Sequence, residues 1–251
     1  MRLVAIDTAT AVCAVALMED GQCVVEKSPE LVRTHSQWLV PLLDEALADA
    51  GWGRRDIEAV AVGEGPGSFT GVRIGLSSAK AIAFALGVPL VTVGTLEAIA
   101  LSTLLPPAGM AAAQAAASGP QVGDLVCPLL DARRGEVYTA LYRVVAPAEL
   151  RQERPPVSPT LSVWLAELPI EGRLWFTGEG VQAYRPQLLE EAARGRRISA
   201  QATLRALAVG LLGQREVLAG RTVVPDAAVP LYVRRSQAEV VWEQRQGGPT
   251  C

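Results

Sequence analysis

Residues 63–75, GEGPGSFTGVRIG, combine glycines with serine and threonine hydroxyls directly before a run with helical spacing. Such a loop can surround a phosphate, because glycine lets backbone N–H groups approach an anion and a helix N-terminus favours negative charge. The match to known phosphate motifs is weak, however. Gly65 and Gly71 are not followed by the Lys-Ser or Lys-Thr of a P-loop, and Ser68 replaces the last glycine of GxGxxG.

Two aspartates, Asp7 and Asp131, follow apolar runs and could hold a hydrated magnesium ion. A nucleotide-binding turn at such a position usually reads Asp-x-Gly-Ser or Asp-x-Gly-Thr, because glycine lets the backbone approach phosphate. The first turn has Ala9 where glycine is needed, and the second has Arg133 and Arg134 where small residues would face a triphosphate. This argues against ATP turnover. The candidates for a residual nucleotide contact are Asp7, Thr8 and Thr10.

The sequence has few residues suited to other catalytic chemistry. His35 is the only histidine in the chain, so a histidine-ligated metal site would lack partners, and we expect no bound metal. His35 precedes Ser36, but adjacent residues point apart and no supporting acid is evident, which argues against a Ser-His pair. Arg133 and Arg134 could bind an anion, although such a pair is more often a solvated turn.

Composition limits the partners and the compartment. The chain has 251 residues, half of them hydrophobic, and a net charge of -3, which disfavours unaided binding to nucleic acid. The four cysteines lie at no spacing typical of zinc or a redox pair. The N-terminus does not resemble a signal peptide, and no apolar run is long enough to span a bilayer. We therefore expect a cytoplasmic protein that does not bind membranes.

A pattern that occurs twice positions the two aspartates. Each half begins with an apolar strand, an aspartate in a turn and a second strand, at residues 3–18 and 126–144. Two unrelated hairpins remain the alternative. The pattern predicts an α/β protein with the duplicated actin and sugar-kinase-like (ASKHA) fold, in which each of two lobes has a mixed sheet and flanking helices. The other elements predicted from hydrophobic spacing are strands at 57–62, 89–93 and 174–177 and helices at 36–50, 72–86, 95–105 and 204–218.

The Ala- and Pro-rich segment 106–121 predicts the connection between the lobes. The first lobe would then comprise residues 1–105 and the second, smaller lobe residues 122–251. We also expect that helix 204–218 can pack back on the first lobe.

Helices 36–50 and 72–86 both carry wide apolar faces. Gly75, Ala79 and Ala83 recur every four residues, so another helix could approach closely. Burial in the core is the alternative for either helix. We predict that the two helices form a partner interface. Its residues are Trp38, Leu39, Leu42, Leu43, Leu47, Arg73, Gly75, Leu76, Ala79, Ile82, Ala83 and Leu86.

The sequence resembles the TsaB (YeaZ) family over nearly its whole length. The segments that carry the resemblance are AIDTATAVCAVAL, HSQWLVPLLDEAL, GPGSFTGVRIGLSSAKAIAFALGVPL, VGTLEAIA, LLDARRGEVYTALY and PLYVRR, of which GPGSFTGVRIG is the most distinctive. It departs from the family pattern at Ala9, where serine is common, and in the alanine-rich segment near residues 110–118.

The resemblance implies a non-catalytic role in making N6-threonylcarbamoyladenosine in tRNAs that read codons beginning with adenine. It implies pairing with a TsaD-type paralogue through helices of the first lobe, joined by a TsaE-type ATPase. A homodimer of the isolated chain, tRNA contact only within the complex, and ATP or ADP at the partner interface are left open. So is a free-standing small-molecule kinase or ATPase of the same fold.

On this reading the glycine loop shapes the backbone and presents the following helix to a partner. The residues to which we assign that role are Gly65, Pro66, Gly67, Ser68, Thr70 and Gly71.

Overall fold

The structure is a computed structural model that describes residues 1–29, 35–106, 119–199 and 203–234. Two five-stranded mixed sheets with flanking helices make up its framework. The first sheet has the strand order β3-β2-β1-β4-β5, and the second has the order β8-β7-β6-β9-β10. The strands of the first sheet are β1 (Arg2–Asp7), β2 (Ala14–Glu19), β3 (Gln22–Lys27), β4 (Ala59–Gly65) and β5 (Leu90–Gly94).

The second sheet repeats the topology of the first. In each, the three strands of a meander are antiparallel, and the first of them pairs in parallel with the fourth strand of its sheet. This repetition confirms the predicted duplication and the actin-like fold class. The strands of the second sheet are β6 (Leu125–Asp131), β7 (Val137–Ala146), β8 (Glu149–Val157), β9 (Leu174–Thr177) and β10 (Arg197–Ile198).

The helices cover both faces of the first sheet and part of the second. Short 3-10 turns occur at Arg54–Asp56 and Pro225–Ala227. The helices are α1 (His35–Ala50), α2 (Phe69–Leu86), α3 (Thr95–Ser102), α4 (Leu161–Glu167), α5 (Gly180–Ala183), α6 (Arg185–Ala193) and α7 (Ala206–Leu218).

The first sheet is buried on both faces, because successive side chains of a strand point to opposite sides. Val4 and Ile6 of β1 pack in the cluster that contains α1 and α2. Leu3 and Ala5 pack in a second cluster with α3, α7 and residues of β6 and β7. Strands buried on both sides read as continuous apolar runs, which explains the run in β1.

Helix α7 lies on the first sheet although its residues follow the second sheet in sequence, and it contacts β1, β2, β4 and β5. Gly210 and Gly213 make this approach possible, since a Cβ on Gly213 would lie 2.2 Å from the Cβ of Ala61. The entry to the helix is held by Glu26 of β3, which accepts hydrogen bonds from the backbone of Leu207 and the guanidinium of Arg205.

Some element boundaries differ from those predicted. Helix α2 begins at Phe69, three residues before the predicted start, because Ser68 caps it. Helix α3 ends at Ser102 rather than near residue 105. Sequence patterns did not predict β8 or α4 to α6, which are short or carry prolines. The central part of the predicted connection, residues 107–118, lies outside the described residues, and the lobe boundaries stay a prediction.

Contrary to the expectation that no apolar run is long enough to span a bilayer, one helix among the described residues, α2, passes that test by length and composition alone. Of the 18 residues of this helix, 33% are buried inside the fold. A core helix of a folded protein passes the same test, so this is weak evidence for a membrane span.

Candidate functional site

The turn that follows β1 is closed by the glycine loop. The Thr8 hydroxyl donates a hydrogen bond to the carbonyl oxygen of Gly71 (2.7 Å), and the backbone N–H of Ser68 donates to the carbonyl oxygen of Ala9 (2.7 Å). The backbones of residues 7–10 and 63–71 therefore pack directly against each other.

The glycines of the loop are required for this packing. A Cβ added to Gly71 would lie 2.0 Å from the Thr8 carbonyl oxygen, and one added to Gly67 would lie 2.3 Å from that of Ala9. A Cβ on Gly75 would lie 2.5 Å from the Thr8 hydroxyl. The space that a phosphate-binding loop keeps for its ligand is filled here by the chain itself.

Ser68 and Gly65 complete the loop. Ser68 is the N-cap of α2, because its hydroxyl accepts a hydrogen bond from the backbone N–H of Gly71 (3.2 Å). Thr70 lies inside the helix. Gly65, which precedes Pro66, has a φ of +101°, a left-handed conformation that favours glycine. Leu231 contacts the loop, since its backbone N–H donates to the Glu64 carbonyl oxygen (2.8 Å).

Asp7 is fully buried in this arrangement. Its carboxylate accepts hydrogen bonds from the backbone N–H of Ala9 (2.7 Å) and from the hydroxyl of Thr95 (3.1 Å). The pKa of Asp7 is raised to about 6. Burial is the largest cause, the two hydrogen bonds act in the opposite direction, and the nearby Glu179 carboxylate adds to the rise. A Cβ on Gly63 would overlap the second carboxylate oxygen. The carboxylate holds the turn in place and has no open side for a metal-bound nucleotide.

The residues present therefore do not fit a nucleoside triphosphate at Asp7, Thr8 and Thr10. Thr8 and Thr10 are almost fully buried, and the Thr10 hydroxyl accepts a hydrogen bond from the backbone N–H of Val12. Gly94 occupies the N-cap position of α3, and the Thr95 side chain contacts Asp7. No local pattern indicates this role, because the partners are 88 residues apart.

The corresponding turn of the second sheet is open. Asp131 accepts a hydrogen bond from the backbone N–H of Arg133 (2.8 Å), and both Arg133 and Arg134 are exposed. The loop that follows β9 lies beside the first turn, where the backbone N–H of Ala11 donates to the Glu179 carboxylate (3.2 Å). Because β6 and β9 are parallel neighbours, the turn at Asp131 lies at the same edge of the second sheet as that loop.

Most residues of the predicted partner interface are buried within this chain. These residues pack against the first sheet. A stripe of small residues fits close packing against a sheet as well as against a partner helix. Surface residues at neighbouring positions are what a partner can reach. The buried residues are Leu39, Leu42, Leu43, Leu47, Gly75, Leu76, Ala79 and Ala83.

The exposed residues of α1 and α2 border a groove of about 470 Å³. Trp38 is 54% exposed and Phe84 is 82% exposed, while Ile82 and Leu86 are partly exposed. These large apolar side chains lie on the outer side of the two helices. Residues that line the groove are Ser36, Leu39, Val40, Phe69, Thr70, Arg73, Ile74, Ser77 and Ser78.

A stack of side chains forms one end of this groove. The rings of Phe69 and Tyr232 are stacked with centroids 5.5 Å apart, and the Arg73 guanidinium lies 3.8 Å from the Phe69 centroid. Arg73 also donates a hydrogen bond to the Tyr232 hydroxyl (2.9 Å). Tyr232 thus belongs to this surface. The sequence pattern did not predict that contact.

Comparison with known proteins supports this architecture. A family model described as TsaD, tRNA N6-adenosine threonylcarbamoyltransferase, matches residues 28–149. The Bacillus subtilis protein named tRNA threonylcarbamoyladenosine biosynthesis protein TsaB is 30% identical, and the match covers 98% of this chain and 100% of that protein. The chain belongs to the TsaB family. The Escherichia coli TsaB protein is 40% identical over 57% of this chain and 55% of its own length.

The fold of the family is also found in a solved structure. A Pseudomonas aeruginosa protein, described as uncharacterized with similarity to peptidase YEAZ, superposes with a TM-score of 0.76 and 27% identity. The match covers 93% of this chain and 99% of that one. Membership of the TsaB (YeaZ) family, as the motifs indicated, is therefore confirmed. Among the described residues, no group of three or more His, Cys, Asp or Glu side chains could hold a metal ion.

Proposed function

We propose that this chain is a non-catalytic partner subunit of a TsaD-type enzyme that forms N6-threonylcarbamoyladenosine in tRNA. The enzyme would transfer the threonylcarbamoyl group from threonylcarbamoyl-adenylate to the adenosine next to the anticodon, in tRNAs that read codons beginning with adenine. The observation that carries the proposal is the closed turn, in which Thr8 and Ala9 fill the space beside Gly67 and Gly71. Cytoplasmic location follows from the substrate.

The closed turn weighs against the alternative, a free-standing kinase or ATPase. Phosphoryl transfer depends on placing phosphate and metal against backbone N–H groups and a carboxylate. Here the carboxylate of Asp7 is buried, bound by Ala9 and Thr95, and has a raised pKa. Both oxygens of that carboxylate already accept hydrogen bonds, so a magnesium ion would have to displace or share these contacts.

The groove between α1 and α2 supports the partner role. Exposed Val40 and Phe69 line it, and Trp38 and Phe84 are exposed elsewhere on the same two helices. Large exposed apolar side chains of this kind mark interaction sites. We propose that a TsaD-type paralogue occupies this surface, that a TsaE-type ATPase joins the pair, and that a second copy of this chain can occupy it when the paralogue is absent. ATP or ADP would then bind at the shared interface, and tRNA would bind the assembled complex.

Reconstitution tests the proposal. The TsaD-type enzyme, the ATPase, unmodified tRNA and threonylcarbamoyl-adenylate are combined with and without this chain, and modified adenosine is measured by mass spectrometry of nucleosides. We expect modification to depend on the chain, and we expect the Asp7→Asn variant to support it as well as the natural chain.

Two outcomes would contradict the proposal. Modification at the same rate without the chain would remove the partner role. Steady ATP hydrolysis by the chain alone that is lost in Asp7→Asn would favour the kinase or ATPase alternative. That substitution replaces one carboxylate oxygen with an amide nitrogen and removes the negative charge at nearly constant size.

A further inference from the structure

The turn between β6 and β7 holds two arginines in an unusual backbone conformation. Arg133 has a φ of +67° and Arg134 a φ of +58°, in the left-handed region that side chains other than Asn and Asp rarely adopt. Gly135, with a φ of +79°, follows them. Strained residues of this kind persist where the surrounding structure fixes them, and they concentrate at functional sites.

The turn is held from three sides. Asp131 accepts a hydrogen bond from the backbone N–H of Arg133 (2.8 Å), and Tyr184 donates from its hydroxyl to the Glu136 carbonyl oxygen (3.0 Å). Arg234 donates to the carbonyl oxygen of Ala132 (3.2 Å) and forms an ion pair with the Glu136 carboxylate (3.3 Å). The backbone under the two arginines is therefore pre-organised.

The acidic groups nearest the turn are already engaged. Asp131 holds the Arg133 backbone and accepts a hydrogen bond from the Tyr184 hydroxyl, while Glu136 is paired with Arg234. The closest carboxylate oxygen to the Arg133 guanidinium is 3.6 Å away, and the Arg133 side chain is 87% exposed. Arg134 is exposed and has no hydrogen bond or ion pair within the described parts of the chain.

We propose that Arg133 and Arg134, in the exposed turn between β6 and β7, contact the phosphate backbone of the RNA substrate. Guanidinium groups suit phosphate oxygens because they donate parallel hydrogen bonds and stay charged. The turn projects outward, which suits the backbone of a polymer better than a small phosphate ligand that needs enclosure. The inference rests on the proposed function, because that function supplies the RNA.

The two arginines form a local positive charge on a protein whose net charge is -3. Phosphate contacts by arginine position an RNA without reading its sequence. The chain would then orient the tRNA for its partner, and it would contribute only part of the total affinity.

The test compares two double variants of the full chain. Arg133→Asn with Arg134→Asn removes both charges but keeps residues that tolerate the left-handed conformation. Arg54→Asn with Arg55→Asn removes the same charge from an exposed arginine pair in the 3-10 turn Arg54–Asp56 of the first lobe. Binding of a fluorescein-labelled tRNA transcript is measured by anisotropy, for the chain alone at low salt and for the complex with the TsaD-type enzyme across a salt series.

We expect the 133/134 variant to keep or raise its melting temperature and to bind tRNA roughly tenfold or more weakly at about 0.1 M salt. The slope of log K against log salt should fall by about two, one for each lost phosphate contact. The 54/55 variant should match the natural chain in both quantities.

Unchanged tRNA affinity and salt slope in the 133/134 variant would overturn the inference. Loss of complex formation with the enzyme would also overturn it, because the arginines would then contact a protein. Complete displacement of tRNA from the turn by free ATP would overturn it too. Absence of any tRNA binding by the natural chain, both alone and in the complex, would overturn it as well. If the arginines carry tRNA binding while the natural chain fails to support modification, the proposed function fails and this inference stands.

Discussion

The carbonyl oxygen of Thr8 occupies the place where a side chain at Gly71 would begin. A Cβ at that glycine would lie 2.0 Å from the oxygen, far closer than non-bonded atoms approach. Residues 63 positions apart are thus packed backbone to backbone. The glycine that resembles a phosphate-binding residue is needed because the chain packs against itself.

Replacement of Gly71 with alanine should therefore destabilise the fold. The neighbour is backbone, which cannot move aside as a side chain can, so we expect a loss of about 3 kcal/mol or more in the free energy of unfolding. Urea denaturation followed by circular dichroism measures it. Gly94→Ala is the matched control, because a Cβ there meets only the Glu97 Cβ at 3.9 Å and the backbone has no positive φ. An equal loss in both variants would contradict the explanation.

Part of this arrangement could be predicted from sequence. The duplicated strand-turn-strand pattern gave the fold class, because period-2 and period-3.6 spacing are local properties. The partners of Thr8 and Thr95 could not be predicted, since no local signal links residues so far apart. Ala79 illustrates a different limit. A stripe of small residues fits close packing against a sheet as well as against a second helix, and only the structure shows which face is already covered.

The pH dependence of stability should show the burial of Asp7. Its pKa of about 6 in the folded chain exceeds the unfolded value of about 4. The folded chain therefore binds more protons between about pH 4 and 6, and the stability contribution of this group falls as pH rises through that window. Above it, the buried charge costs up to about 3 kcal/mol.

Asp7→Asn should remove that cost, because the amide oxygen can still accept from the Ala9 N–H. We expect the variant to be more stable than the natural chain near pH 7.5, and its advantage should shrink toward pH 4.5. Comparing the two proteins at each pH cancels the titration of other groups. A difference in unfolding free energy that stays constant with pH would show that Asp7 does not titrate in this range.

Glu26 should be important for docking α7 on the first sheet. Its carboxylate accepts hydrogen bonds from the Leu207 backbone and from the Arg205 guanidinium, which is only 17% exposed. Glu26→Ala leaves the N–H of the first helical turn without its acceptor and a partly buried cation without its counter-ion, so we expect a loss of about 2 kcal/mol. The control Glu45→Ala breaks an exposed ion pair with Lys27 and should cost clearly less than Glu26→Ala, because exposed ion pairs contribute little to stability. Chemical unfolding compares them, and equal losses would contradict the role of Glu26.

Two positions on α2 separate the core from the proposed partner surface. Ala79 is fully buried against the first sheet, whereas Ser77 is exposed and lines the groove. Ala79→Glu would bury an unpaired charge at a cost of several kcal/mol, so we expect loss of the folded state. Ser77→Glu meets no such barrier and should stay folded, with a melting temperature within about 2 °C of the natural chain.

Two exposed positions, Ser77 and Trp38, test the interface through binding. Ser77→Glu and Trp38→Glu should weaken co-elution with the TsaD-type enzyme at least about tenfold, because each places a charge in a surface that association would desolvate. Ile170→Glu is the control, since Ile170 is 95% exposed on the second lobe and borders a different cavity. Size-exclusion chromatography beside thermal unfolding separates lost binding from lost folding. If both variants stay folded and still co-elute with the enzyme, the partner binds elsewhere and the outer surface of α1 and α2 is not the interface.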